Sequence, residues 1–257
     1  MITGKQLLPT TTAHQARCQV FQATRRPKHL EGLVINSSWG EVKITGRLGQ
    51  GHADVLEAIM RDAEKCRTRD TGAVQLFVDP YKIRMTAGGG KQMSGQQLKV
   101  ILDDLMTALV ELRVPAKSID LTGHILDEID RGPQTRHDPL TGKERFMIRV
   151  TVARAWVTLL NSDLGLTYEP VLVAALSNGI SQAVARHVLT HSTTPPGGWK
   201  IPELLLAVGG TGRERDQRKF LNEDEAGLAK LGVVIEGARI SKSSERPTAR
   251  QARSTAR

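Results

Sequence analysis

Between Thr211 and Leu221 the chain reads TGRERDQRKFL. Arg213, Arg215, Gln217, Arg218 and Lys219 all carry donors long enough to reach a nucleic acid. A guanidinium fork fits phosphate oxygens and the O6/N7 edge of guanine, and a glutamine amide fits the edge of adenine. A second set lies at Lys91, Gln92, Gln96, Gln97 and Lys99, near the start of another helical pattern. Arg136 and Lys143 add cations on a hairpin between two extended runs. The competing reading is a solvated charged face, because Glu214 and Asp216 supply local ion pairs inside the basic run.

Other patterns suggest chemistry and fit it less well. His187 and His191 have the i, i+4 spacing of a zinc protease helix, but Val188 follows the first histidine where a glutamate base is needed. Gly88–Lys91, GGGK, suggests a phosphate loop. The residue five before Gly90 is Met85 and Gln92 follows the lysine, so the spacing fails. Gly209–Gly212, GGTG, has no strand before it and reads as a turn. Asp127, Glu128 and Asp130, with His124 or His137, would be needed for a metal-dependent DNA-nicking enzyme. Successive strand residues point to opposite faces, so Asp127 and Glu128 diverge. The expectation is no catalytic residue, no metal and no cofactor.

The bulk properties favour an anionic partner. The 257 residues carry a net charge of +9 and a pI near 9.8, which points to nucleic acid first and an acidic membrane surface second. A hydrophobic content of 39% is enough for real cores, while 4% aromatic residues argue against a single-strand binder built on base stacking. The ends are basic and poor in apolar side chains, so residues 1–32 and 241–257 are expected to be mobile arms. No apolar run reaches the ~18 residues of a membrane span, and no signal-peptide core is evident. Cys18 and Cys66 suggest neither a disulfide framework nor a zinc site. A bacterial cytoplasm is the expected compartment.

Elements must position these donors. Trp39–Gly46 alternates as a strand. His52–Arg67 repeats Val55, Leu56, Ile59, Met60 and Ala63 at helical spacing, with Asp54 suited to the helix dipole. Ala73–Met85 is β-like, interrupted at Asp79-Pro80. Leu98, Ile101, Leu102, Leu105, Leu109 and Leu112 form one stripe of a long helix capped by Ser94 and ended by Pro115. Lys117–Ile129 and Glu144–Ala155 are the arms of a hairpin. In the second half, Ile180–His191 reads as a helix capped by Ser177 or Asn178. Ile201–Val208 and the basic run read as two more, and VVIEGARI as a hairpin. Asn222-Glu-Asp-Glu has the form of a capping box that could start a new helix, stopped by Gly232. Helix, turn, basic helix and hairpin is the order of a winged helix. The expected fold is α+β, two tandem winged-helix domains at 33–158 (dimerisation and phosphate contacts) and 159–240 (base reading).

The whole order resembles the plasmid replication initiators built from two winged-helix domains. GRLGQGHADVLEAIMRDAE resembles their first helix, QLFVDPYKI the extended segment before their second helix pair, and LKVILDDLMTALVELRV the long first-domain helix that runs into the wing. GISQAVARHVLTH with WKIPELLLAVG, and then RERDQRKFLNEDEAGLAKLGVVIE, resemble the second-domain helix pair, reading helix and wing. The resemblance covers residues 33–247. It implies a non-enzymatic protein that binds direct repeats in double-stranded DNA at a plasmid origin and opens strands nearby. It also implies recruitment of the host initiator and replicative helicase, and a homodimer in equilibrium with monomer. A winged-helix repressor of plasmid genes is the alternative. Glu214, Asp216 and the break near Asn222 depart from the family pattern at the base-reading positions.

Overall fold

The computed structural model describes residues 9–137, 142 and 144–243. It begins with β1 (Thr11–Thr12) and the short helix α1 (Ala13–Arg17), capped by the Thr12 hydroxyl, which accepts from the Gln15 N–H. The mobile arm expected over residues 1–32 is therefore corrected from Thr10 onward; residues 1–8 lie outside the described part. Cys18, Val20 and Phe21 are buried in the first core. Burying them offsets the ordering entropy that a wholly polar arm could not. The thiol of Cys18 is pushed up to about 11 by burial.

A hairpin of β2 (Leu30–Ser37) and β3 (Gly40–Gly46) follows, then α2 (Gln50–Asp62), β4 (Lys65–Thr68) and β5 (Val74–Val78). The helix expected over 52–67 stops at Asp62. Its apolar stripe ends there, and Lys65–Thr68 pairs instead with the free edge of β5. Asp79-Pro80 is a helix start: Asp79 accepts from the Tyr81 N–H at 2.8 Å, and proline occupies the first helical turn of α3 (Pro80–Ala87). The next helix, α4 (Gly95–Thr107), is capped by Ser94 as the pattern suggests.

The long stripe to Leu112 is a second correction. Helix α4 ends at Thr107, and Leu109–Val114 is strand β6. Val110, Leu112 and Val114 point inward at period two, so of the leucines that continued the helical spacing Leu112 lies on the buried strand face and Leu109 on the other. A short 3-10 turn at Pro115–Lys117 leads to β7 (Ile119–Gly123). Then come β8 (Leu126–His137), β9 (Glu144–Val152) and α5 (Arg154–Ser162). Between β8 and β9, residues 138–141 and Lys143 lie outside the described residues, as do residues 244–257; the mobile tail expected from 241 is corrected at Ser241 and Lys242, which belong to the last strand.

The second half contains β10 (Gly165–Leu166), which pairs with β1, α6 (Pro170–Ala174) and α7 (Gly179–Leu189). It continues through β11 (Trp199–Lys200), α8 (Ile201–Ala207), α9 (Glu214–Glu223) and α10 (Glu225–Lys230). The hairpin β12 (Val233–Glu236) and β13 (Arg239–Lys242) closes it. The break after the basic helix falls at Asp224 rather than at Asn222. Gly232, at φ +74°, ends α10 where the sequence places the stop.

Three sheets result besides the β1–β10 pair. Their strand orders are β2-β3-β6-β7, β4-β5-β9-β8 and β11-β13-β12. Within them one topology occurs twice. Helix α2, strand β5, helices α3 and α4, then strands β8 and β9 give the strand order β5-β9-β8. Helix α7, strand β11, helices α8 and α9, then β12 and β13 give β11-β13-β12. The first copy additionally carries β4 at the outer edge of its sheet and the β6–β7 hairpin, which joins β2–β3 in a sheet of its own. Each copy has a separate aliphatic core, one around Ile59, Leu102 and Val150, the other around Val184, Leu204 and Leu228.

Candidate nucleic-acid interface

Helix α9 turns Gln217, Leu221 and Asp224 inward, since these recur at steps of four and three. The outward face is left to Arg213, Arg215, Lys219 and Asn222. The Arg215 side chain is 95% exposed, with only Asp216 near it at 4.0 Å. Arg218 is half-buried and donates to Glu214 at 2.9 Å, an i, i+4 pair, and Lys219 lies 3.9 Å from Glu223. Such exposed pairs are worth under about 1 kcal/mol and yield readily to a phosphate. Gln217 is a correction: it is buried, and its amide donates to the Gly212 carbonyl at 2.7 Å. It holds the turn before α9 and does not face outward to read bases.

Gln96, Gln97 and Lys99 are exposed at the start of helix α4, and Lys91 and Gln92 are exposed in the turn that precedes its Ser94 cap. Leu98, Ile101, Leu102 and Leu105 anchor the opposite face. Farther along, the helix is neutralised. Lys99 donates to Asp103 at 2.9 Å and holds that carboxyl below the usual carboxylate range. Asp104 accepts from Arg47 at 2.9 Å and lies 2.9 Å from His52 Nε2. Donors without an ion-pair partner therefore concentrate in the first turn and just before it. Arg136, on β8, is half-exposed and pairs with Glu64.

The carboxylates that the sequence groups are engaged by arginines. Glu128 pairs with Arg69 at 2.8 Å and Asp130 pairs with Arg149, while His124 Nδ1 lies 3.0 Å from the Ala108 carbonyl. Among the described residues no group of three or more His, Cys, Asp or Glu is placed to hold a metal ion. His187 and His191 face each other, Nε2 to Nε2, at 3.3 Å. His191 packs edge-on against Trp39 and Trp199. Trp39 in turn lies under the Arg17 guanidinium, 4.2 Å from the ring centre. Burial, with Arg17 nearby, lowers both histidines to about 4. They are neutral packing groups where the β2–β3 turn meets the second copy.

The sequence reading missed the junction between the copies. Arg186 on α7 donates to Asp54 at 2.7 Å, to both oxygens of Glu57 at 2.8 Å and to Gln50 at 2.7 Å, all on α2. Tyr168 donates to Glu57 at 2.6 Å. Arg186, Asp54 and Glu57 are all buried. Burial alone would lower the pKa of Arg186, but Glu57 and Asp54 hold it well above the ordinary arginine value. Asp54 therefore acts as a buried partner rather than as a dipole complement. The available signal was the i, i+3 pair Asp54/Glu57 falling inside the apolar stripe of α2.

The same fold occurs in domains 2 and 3 of RctB. The crystal structure of their selenomethionine derivatives superposes with a TM-score of 0.53 over 89% of this chain and 95% of that one. Identity is 10%, so the likeness is one of fold. No protein-family model matches the sequence, and no curated protein matches it significantly. The matched span takes in both copies. Among the described residues no helix is long and apolar enough to cross a membrane.

Proposed function

We propose that the chain is a non-enzymatic, sequence-specific double-stranded DNA-binding protein that initiates replication, built from two winged-helix units. The observation that carries this reading is the duplicated topology. In each copy a helix introduced by a glycine turn, α4 or α9, presents a face of unburied donors at its start. A helix of that kind fits the major groove, and the β8–β9 and β12–β13 hairpins are the wings that lie along the backbone. RctB is itself a replication initiator, and its fold likeness supports the assignment. Direct repeats in a plasmid origin, a monomer–dimer balance and recruitment of host initiator and helicase are the finer parts of the proposal.

In the proposed complex Arg213 and Arg215 reach bases or phosphates from α9, with Arg218 and Lys219 released from their glutamates. Lys91, Gln92, Gln96 and Gln97 contact DNA from α4 and the turn before it. A footprint of the purified protein on the DNA flanking its own gene, with and without magnesium, tests this. Protection of several direct repeats without cutting is the expected result. A single palindromic footprint would identify a repressor instead, and magnesium-dependent cutting would overturn the non-enzymatic reading.

A further inference from the structure

Beside the starts of α7 and α9 the surface carries a groove of about 570 Å³. Its walls come from three separate places: Thr24–Arg26 of the N-terminal segment, Ser177–Ile180 at the start of α7, and Gly210–Gly212 with Gln217 and Phe220 around the turn into α9. The segments are fitted closely. A Cβ on Gly179 would lie 2.5 Å from the Thr24 Cα, so only glycine lets the segment rest on the start of α7. Arg25 fixes it there by donating to the carbonyls of Leu176 and Ala174.

The groove is rich in donors and poor in available acceptors. Asn178 does not cap α7 with its side chain, so the first N–H groups of the helix have no side-chain acceptor. Among the described residues Arg26 and Arg213 form no ion pair. The nearby acids are otherwise engaged: Asp224 accepts from the N–H groups of Ser177 and Asn178, Glu223 accepts from the Asn178 amide, and Asp54 is buried against Arg186. Independently of the helix start, Gln217 lines the groove with a side-chain oxygen that has no partner, although the residue is only 6% exposed.

We propose that this groove binds a backbone phosphate of the same DNA duplex that α4 and α9 contact, with Arg26 as its principal side-chain ligand. The inference rests on the DNA-binding reading given above. A hydrated phosphodiester satisfies both halves of the site. Its oxygens accept from the Arg26 guanidinium and the α7 N–H groups, and a bridging water donates to the Gln217 oxygen. The Arg25–Lys28 segment becomes a clamp that fixes the register of the duplex between the two copies and carries no sequence information of its own.

The test uses the full chain and a short random-sequence duplex, titrated by fluorescence anisotropy over a range of salt concentrations. Arg26 is exposed and unpaired, so Arg26→Ala and Arg26→Glu should melt at the wild-type temperature. Arg26→Ala should lower the slope of log affinity against log salt by about one, and Arg26→Glu should weaken binding about tenfold. If the wild type binds, and Arg213→Ala weakens it while both Arg26 variants match the wild type, the groove is not a phosphate site and the DNA-binding reading stands. Failure of the wild-type chain to bind any duplex overturns both.

Discussion

The two copies share an order of elements and differ in what surrounds the exposed helix. In the first, α4 is enclosed by additional structure. The β2-β3-β6-β7 sheet extends the core, and Asp103 and Asp104 neutralise the later turns through Lys99, Arg131 and Arg47. In the second, α9 stands on a small core with a three-stranded sheet, and Arg215 lies almost wholly in solvent. The junction reverses this again. There an arginine and two carboxylates of the same types as those on α9 are fully enclosed. One charge chemistry therefore does two jobs: enclosed, it sets the relative orientation of the copies; exposed, it stays available to a partner.

The largest expected effect removes the junction. Arg186→Met leaves Glu57 buried without a cation and Asp54 with Arg25 alone, at 3.7 Å, and should cost about 3–5 kcal/mol. Wild type should unfold in one denaturant transition followed by circular dichroism and tryptophan fluorescence together, because α2 and α7 share this cluster. Arg186→Met should split the two signals. A single wild-type-like transition in the variant would show that the cluster does not couple the copies.

Acid should act at the same boundary. His187 and His191 have folded pKa values near 4, below the ordinary 6.5, because burial disfavours the imidazolium. The unfolded chain therefore binds more protons between those values. The stability they contribute is fully present above about pH 6.5 and is lost as the pH falls toward about 4. His187→Gln should flatten that part of the stability profile. An unchanged profile would mean that neither ring is neutral in the folded protein.

Effects on binding should be smaller and should divide the copies. Arg213→Ala or Arg215→Ala should cost about 1–3 kcal/mol on the protected site if the side chain reads a base, and should cost similar amounts on all sequences if it contacts phosphate. Lys91→Ala just before α4 should weaken binding uniformly and less. A sequence-specific loss from Lys91→Ala with none from Arg215→Ala would exchange the roles of the copies. The smallest effect is that of Gln217→Ala, which removes the bond to the Gly212 carbonyl. It should lower stability by about 1 kcal/mol, measured by thermal unfolding, while leaving sequence preference as it was.

Much of the second copy was legible because its elements are short and locally marked. Asn178 stands before α7, Pro202 opens α8, Gly232 ends α10, and Gly237 at φ +60° turns the hairpin. The first copy was harder to read. The helical leucine spacing ran on past Thr107 into a strand, and Lys65–Thr68, which follows the stripe of α2, becomes a strand by pairing with β5 across a short loop.

By itself the sequence determined the basic excess, the solvent-facing donors on two helices and the apolar stripes that build two cores. Periodicity and charge are properties of neighbouring residues, so they can be read in order along the chain. Tertiary structure alone decided that Cys18, Val20 and Phe21 enter the core rather than trail in solvent, and that Gln217 turns inward. It also decided that Arg186 meets Asp54 and Glu57 some 130 residues away, and that Arg26 comes beside the starts of α7 and α9. Each of these depends on which surfaces are left to cover once the elements pack. The cost of burying a charge, or of leaving one exposed, is set by that packing and not by the residue type.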